Sequence, residues 1–156
     1  MASLSFQSLW QNYPHAHAVT DAGTGASATR LARALAMCGI ATPFDRRNLG
    51  EGAAGSVQAL ARWLSPGCFP GCPGAQSCPG DEALDRLQGR SGIVLIESRW
   101  QPPGATALRS EGHLDLWNGS QMTIGTSWLR THLGITWEGT WTGRRGVERV
   151  RFWELA

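Results

Sequence analysis

A histidine and an aspartate two positions apart are the residues best suited to chemistry in this sequence. His113 and Asp115 lie within residues 111–119, which read EGHLDLWNG. Alternate side chains of a β-strand point to the same face, so a strand here would place an imidazole beside a carboxylate. Such a pair suits general acid–base catalysis, with the carboxylate holding the ring. Because His-x-Asp also arises by chance, the alternative is a partly exposed histidine on an edge strand.

Ser27 occupies a position at which a nucleophile would be activated. Positions 27, 31, 34, 35 and 38 carry small or apolar residues at helical spacing. The spacing predicts a helix from Ser27 to Cys38, with Ser27 as its N-cap and Gly39 as its stop. Free N–H groups and the dipole at a helix start favour a thiolate and do much less for a hydroxyl. Taken alone, Ser27 is therefore better explained as an ordinary N-cap.

Three cysteines, Cys68, Cys72 and Cys78, lie in the proline- and glycine-rich residues 66–80, which are predicted to form an irregular loop. A structural zinc ion takes four ligands at paired spacings, so three cysteines without a nearby histidine favour a disulfide over a zinc site. At least one disulfide among them is expected once the chain meets an oxidising compartment. Cys38, on the apolar face of the predicted helix, is interpreted as a small buried hydrophobe.

The rest of the pattern predicts the elements that must position these residues. Further helices are predicted before the Tyr13-Pro14 boundary, over residues 57–64 and over residues 83–87. Strands are predicted at residues 93–96, 113–117 and 147–153, with a tight turn at Asn118-Gly119. Helices first and strands afterwards, without regular alternation, indicate an α+β fold with an antiparallel sheet.

Composition predicts one folded domain and argues against one class of partner, nucleic acid. A chain of 156 residues with 42% hydrophobic and 17% charged residues suits a single domain over residues 1–156. Its 14 basic residues are all arginines, scattered among 12 acids, which argues against nucleic acid as the main partner. The sequence has no apolar run long enough for membrane insertion, and residues 1–10 lack the features of a secretory signal. The eight tryptophans are interpreted mainly as core residues.

Four segments together resemble a known family of bacterial enzymes. They are residues 6–14 (FQSLWQNYP), 27–35 (SATRLARAL), 112–119 (GHLDLWNG) and 151–155 (RFWEL). In this order they resemble the type VI secretion amidase effectors of the fourth family, which belong to the NlpC/P60 and papain-like group of cysteine peptidases. The resemblance runs nearly from end to end. It implies a papain-like fold in which N-terminal helices pack on an antiparallel β-sheet.

The resemblance also implies roles for single residues. His113 takes the place of the family's catalytic histidine, within the block glycine-histidine-aliphatic-x-Leu-Trp-Asn-Gly. Residues 30–31 match the family's Cys-x-x-Arg-aliphatic motif, but Ser27 stands where the nucleophilic cysteine is expected. An engineered cysteine-to-serine change, a natural serine variant and an inactive relative explain this departure, in that order of preference. The family's third catalytic member is an acid after the histidine strand; since no acid lies between Asp115 and Glu138, Asp115 is chosen by geometry.

The implied function is cleavage of the γ-D-glutamyl to meso-diaminopimelate bond of peptidoglycan stem peptides. The protein would be made in the cytoplasm, delivered by a type VI secretion system, and active in the periplasm of the target cell. A cognate immunity protein is implied as a partner, and no metal or organic cofactor is required. The rival hypothesis is an inactive amidase fold that binds wall peptide or a protein partner. A zinc hydrolase using His15, His17 and the loop cysteines is less well supported, because these residues lack an established zinc spacing.

Overall fold

The described part of the chain consists of helices and one antiparallel sheet. The computed structural model describes residues 3–14, 26–43, 53–100, 104, 106, 109–123 and 147–156. Within them the helices are α1 (Phe6–Asn12), α2 (Ala26–Met37), α3 (Ala53–Trp63) and α4 (Ala83–Leu87), with a 3-10 turn at Gly80–Glu82. The strands are β1 (Gln76–Pro79), β2 (Gly92–Trp100), β3 (Arg109–Trp117) and β4 (Val147–Glu154). The predicted α+β class is confirmed, and the arrangement is consistent with a papain-like amidase fold.

The strands pair in the order β1-β4-β2-β3, and every pair is antiparallel. Within this described sheet β3 is therefore an edge strand. Ile96 of β2 lies opposite His113, and Val94 lies opposite Asp115. Because side chains alternate along a strand, His113 and Asp115 share one face of the sheet, while Leu114 between them points to the other.

Two hydrophobic cores cover the two faces of the sheet. On one face, α1, α2 and α3 pack on sheet residues that include Ile93, Leu95, Leu114, Leu116 and Trp153. On the opposite face, a smaller core joins α4 to sheet residues that include Val94, Ile96, Trp117, Val150 and Phe152. The sheet is thus buried on both sides, and His113 and Asp115 lie on the side of the smaller core.

Two tryptophans confirm the predicted core role. Trp117 and Trp153 are 7% and 1% exposed. The indole N–H of Trp117 donates to the Leu87 carbonyl at 2.9 Å, and that of Trp153 donates to the Leu64 carbonyl at 2.8 Å. Each ring therefore fills a core while its polar atom keeps a partner. Trp128, Trp137 and Trp141 lie outside the described residues.

Helix α2 ends where the sequence predicts. Gly39 has a φ of 81°, a conformation that glycine adopts without steric cost. The Ile40 N–H donates back to the Leu35 carbonyl at 2.9 Å, and the Ile40 side chain packs against the larger core. This is the glycine-ended stop that ties the last turn of a helix to the following chain.

Two predictions about the elements are wrong. The loop predicted over residues 66–80 contains β1, whose four residues pair with β4 from Gln76 opposite Phe152 to Pro79 opposite Arg149. Strand β1 is short and ends on a proline, so its pattern resembles that of a loop. Ser27 is not the N-cap of α2, because the helix begins one residue earlier, at Ala26. Within the described residues, no helix is long and apolar enough to cross a membrane.

Candidate active site

His113 and Asp115 form a buried pair on β3. They are 3% and 0% exposed, and His113 Nε2 lies 3.4 Å from Asp115 Oδ2. The predicted shared face is therefore confirmed. The alternative of a partly exposed histidine is wrong, because the His113 side chain is 3% exposed although β3 is an edge strand of the described sheet. An imidazole and a carboxylate buried this deeply need hydrogen-bonding partners to offset their lost hydration.

The Asp115 carboxylate is held by donors from its own strand and from the turn that follows. Its Oδ1 accepts hydrogen bonds from the Leu116 N–H, at 2.7 Å, and from the Thr123 hydroxyl. Its Oδ2 faces His113. With Nε2 directed at Asp115, Nδ1 is the ring nitrogen that would exchange a proton with a nucleophile.

The turn after β3 brings Thr123 back to Asp115. Gly119 has a φ of 98°, and the Asn118 side chain accepts from the Gln121 N–H at 2.9 Å. Trp117 and Met122 then form an antiparallel bridge, so the chain reverses beside the end of β3. The tight turn predicted at Asn118-Gly119 is confirmed, and the chain reversal places the Thr123 hydroxyl beside Asp115.

Ser27 lies in the first turn of α2, beside the edge of the sheet. It is 6% exposed, and its Oγ accepts from the Leu114 N–H at 3.3 Å. Alternate amides of an edge strand lack a strand partner, and the serine hydroxyl provides one for this amide. Since Leu114 directly follows His113, the contact places the start of α2 next to the histidine. The three residues singled out from the sequence therefore lie in one region, although α2 and the His113–Asp115 pair belong to opposite faces.

Tyr13 is a fourth polar group in this region, and it was not among the candidate residues predicted from the sequence. It is 2% exposed and directly follows α1. Burial and the nearby charge of Asp115 raise the pKa of Tyr13 well above its usual value, while Arg30 and the Thr123 hydroxyl partly oppose them. The phenol therefore stays protonated at neutral pH. The sequence signal for Tyr13 was its place in residues 6–14, and Thr123 had no signal in its spacing.

The structure brings together two of the three loop cysteines. The sulfur atoms of Cys68 and Cys72 lie 3.0 Å apart, and both side chains are half-buried against the larger core. Cys78 is on β1 and packs in the smaller core, on the other face of the sheet. Burial, and then the hydrogen bond with Cys68, raises the pKa of Cys72 to about 12.

The remaining candidates for metal or thiol chemistry do not converge. Cys38 is half-buried rather than fully buried, and the Asn12 amide donates to its sulfur at 3.7 Å. Among the described residues, no three histidine, cysteine, aspartate or glutamate side chains are grouped so as to hold a metal ion. His15 and His17, named in the zinc alternative, lie outside the described residues.

Comparison with known protein families identifies the family to which this chain belongs. A family model described as "Type VI secretion system (T6SS), amidase effector protein 4" matches residues 24–153, most of the chain. The chain belongs to this family. No curated protein matches it. The protein is thus a type VI secretion amidase effector, a hydrolase that acts on peptidoglycan. The matched range of this amidase effector includes Ser27, His113, Asp115 and Thr123, and it begins after Tyr13.

Proposed function

We propose that this amidase effector cleaves the γ-D-glutamyl to meso-diaminopimelate bond of stem peptides, with a nucleophile at position 27. The observation that supports it best is the hydrogen bond from the Leu114 N–H to Ser27 Oγ, at 3.3 Å. This contact brings the start of α2 next to His113, which is paired with Asp115. A nucleophile at a helix start, an imidazole and an orienting carboxylate are the groups that covalent amide hydrolysis requires.

The proposed reaction uses a cysteine at position 27. His113 Nδ1 takes the thiol proton, and the thiolate attacks the amide carbonyl carbon. The oxyanion faces the N–H groups at the start of α2. The C–N bond then breaks as His113 gives the proton to the leaving amine, which leaves a thioester. Water, deprotonated by His113, hydrolyses the thioester and restores the thiol. Asp115 holds the ring throughout.

The chain itself, with Ser27, is proposed to have little or no amidase activity. Serine and cysteine are similar in size, so their exchange should change the nucleophile more than the packing. A free thiol, with a pKa of about 8.5, is a few per cent thiolate near neutral pH, and a helix start or a neighbouring imidazolium raises that fraction, whereas a serine hydroxyl has essentially none. A serine in a site shaped for sulfur therefore lacks the activation that amide attack needs.

The test is incubation of purified peptidoglycan, or of its tetrapeptide fragment, with the chain and with its Ser27→Cys variant. Mass spectrometry of the products should show cleavage at the γ-D-glutamyl bond for Ser27→Cys and almost none for the unchanged chain. Ser65→Cys, at an exposed serine, is the matched control for adding a thiol elsewhere and should be inactive. Equal cleavage by the serine form would instead show a serine amidase.

A second candidate function is supported by Ser27 itself, because a serine at the nucleophile position suits a fold that binds wall peptide without cutting it. Isothermal titration of a muropeptide into the chain and into Ser27→Cys distinguishes the two. Binding by both forms with no cleavage by either would favour the binding module. Cleavage by Ser27→Cys would reject it.

The wider context of the protein is part of the same proposal. Residues 1–156 are proposed as one amidase domain, since the Phe6 N–H donates to the Ala156 carbonyl at 2.7 Å and joins the two ends of the chain. Delivery by the type VI apparatus, action in the target-cell periplasm and a cognate immunity protein that protects the producing cell are proposed with it. An immunity protein that abolishes cleavage by Ser27→Cys in a stoichiometric mixture would support this partner.

A further inference from the structure

The Asp115 side chain is fully buried, so its orientation depends on the donors around it. Its Oδ1 accepts from the Leu116 N–H, at 2.7 Å, and from the Thr123 hydroxyl, while Oδ2 faces His113 Nε2. The Leu116 amide is fixed by the strand. The Thr123 hydroxyl comes from the turn after β3 and is a second donor to the same oxygen. Two donors on one oxygen restrict rotation of the carboxylate about its last bond, which is otherwise broad.

The direction of each hydrogen bond follows from the number of protons available. An ionised carboxylate only accepts, so the single proton of the Thr123 hydroxyl is donated to Asp115. The Leu116 N–H and the Thr123 hydroxyl are therefore both donors to Asp115 Oδ1.

We propose that Thr123 is a positioning residue that orients the Asp115 carboxylate, and through it the His113 ring. A fixed carboxylate keeps the ring proton on Nε2 and leaves Nδ1 as the acceptor nitrogen of the ring. If the Thr123 hydroxyl is removed, Oδ1 keeps the Leu116 amide as a donor, the carboxylate turns more freely, and the preference for one tautomer weakens. The expected effect on the cleavage rate rests on the proposed function, whereas the expected tautomer of the His113 ring does not.

The direct test measures the ring itself. Long-range proton–nitrogen NMR spectra distinguish the two neutral tautomers, and the His113→Gln variant assigns the His113 signals among the four histidines. The unchanged chain and Thr123→Ser, which keeps the hydroxyl, should show the Nε2–H tautomer. Thr123→Val, which removes only the hydroxyl, should show a mixture. The exposed control Thr106→Val should show the same single tautomer as the unchanged chain.

The kinetic test uses the same variants combined with Ser27→Cys. Thr123→Val should lower kcat about tenfold, the effect of one lost hydrogen bond to a charged group, with KM changed less than about twofold. Thr123→Ser should restore kcat. A single Nε2–H tautomer in folded Thr123→Val, or a mixture in folded Thr123→Ser, would overturn the proposal. If Ser27→Cys is inactive, the proposed function fails, and the ring spectra still decide the positioning role of Thr123.

Discussion

The burial of His113 and Asp115 determines which substitutions can test their roles without disturbing the fold. A partly exposed His113 would carry little packing, and its removal would cost the fold little. The ring is instead 3% exposed and lies beside a fully buried carboxylate. Truncation to alanine would therefore leave a cavity and remove a partner of Asp115, so a polar substitution of similar size separates chemistry from folding better.

Replacement of His113 by glutamine should abolish wall-peptide cleavage in the Ser27→Cys chain, because glutamine cannot exchange a proton near neutral pH. The free energy of unfolding should fall by about 1–3 kcal/mol, as expected when a buried hydrogen bond is altered. Asp115→Asn should reduce the rate less, because it weakens the orientation of the ring and leaves the ring in place. Urea unfolding and product analysis measure both effects. Retention of most turnover by folded His113→Gln would reject the catalytic assignment.

Tyr13 gives a pH dependence whose sign follows from its raised pKa. Above the usual tyrosine pKa of about 10, the unfolded chain loses the phenol proton while the folded chain keeps it. This contribution to stability is complete below that pH and is lost as pH rises through the folded pKa. Because Tyr13 is the single tyrosine, phenolate absorbance reports it alone.

The absorbance midpoint of the folded chain should therefore lie above that of the chain unfolded in urea. Stability should also fall less steeply with alkaline pH in Tyr13→Phe than in the unchanged chain. Coincident midpoints for the folded and unfolded chains would contradict the burial of Tyr13 beside Asp115.

At the scale of elements, the contact between α2 and the edge of β3 joins the two faces of the sheet. Helix α2 packs in the larger core, while His113 and Asp115 lie on the side of the smaller one. The hydrogen bond between Ser27 and the Leu114 amide occurs at the edge itself. The proposed site is therefore assembled where a helix start meets an edge strand.

The segment between α3 and β1 should form a disulfide between Cys68 and Cys72 under oxidising conditions. Their sulfur atoms lie 3.0 Å apart, whereas Cys78 packs on the other face of the sheet. The raised pKa of Cys72 keeps it a thiol at neutral pH, so oxidation by a small-molecule disulfide such as oxidised glutathione should accelerate as pH rises. The short spacing makes the gain in global stability small.

Mass spectrometry of peptides after blocking of free thiols identifies this bridge. Cys78→Ser should leave the Cys68–Cys72 bridge intact, and Cys72→Ser should abolish it. A bridge that includes Cys78 in the folded chain, or free thiols throughout after oxidation, would show that the prediction is wrong.

At the scale of the whole molecule, an ion-pair network joins α3 to two strands. Glu97 of β2 lies 2.7 Å from Arg149 and 3.0 Å from Arg151, both on β4, and Gln58 of α3 donates to it at 3.4 Å. Burial tends to raise the pKa of Glu97, but the hydrogen bonds from the two arginines outweigh it, so its pKa lies below the usual range. Glu97 should therefore stabilise the fold.

Glu97→Gln should lower the free energy of unfolding by about 1–2 kcal/mol near neutral pH, since hydrogen bonds to charged groups are lost from a partly screened site. The exposed control Glu82→Gln, which loses an i,i+4 pair with Arg86, should cost less than about 0.5 kcal/mol. Because the folded pKa of Glu97 is lowered, its contribution is present above the usual glutamate pKa and is lost as pH falls through the folded value. Urea titrations at neutral and acid pH measure this loss. If the free energy of unfolding of Glu97→Gln lay below that of the unchanged chain by the same amount at both pH values, the lowered pKa of Glu97 would be contradicted.

The sequence by itself determined the features that depend on local periodicity. Helical spacing predicted α1 to α4, a continuous apolar run predicted β2, and strand-like segments predicted β3 and β4. Gly39 and Gly119 marked the ends that their positive φ angles allow. It also placed His113 and Asp115 on one face, because that depends on a spacing of two along a strand. The segments resembling a family of amidase effectors gave the family that the later comparison confirmed.

The tertiary structure decided whatever depends on residues far apart in the chain. The pairing of β1 with β4, the contact of Ser27 with Leu114, the burial of His113 and the approach of Tyr13 to Asp115 all join separate segments. Local patterns carry no information about these distances. They are set when the helices and the sheet close around two shared cores, because the gain from burying apolar surface outweighs the entropy of closing the loops between them.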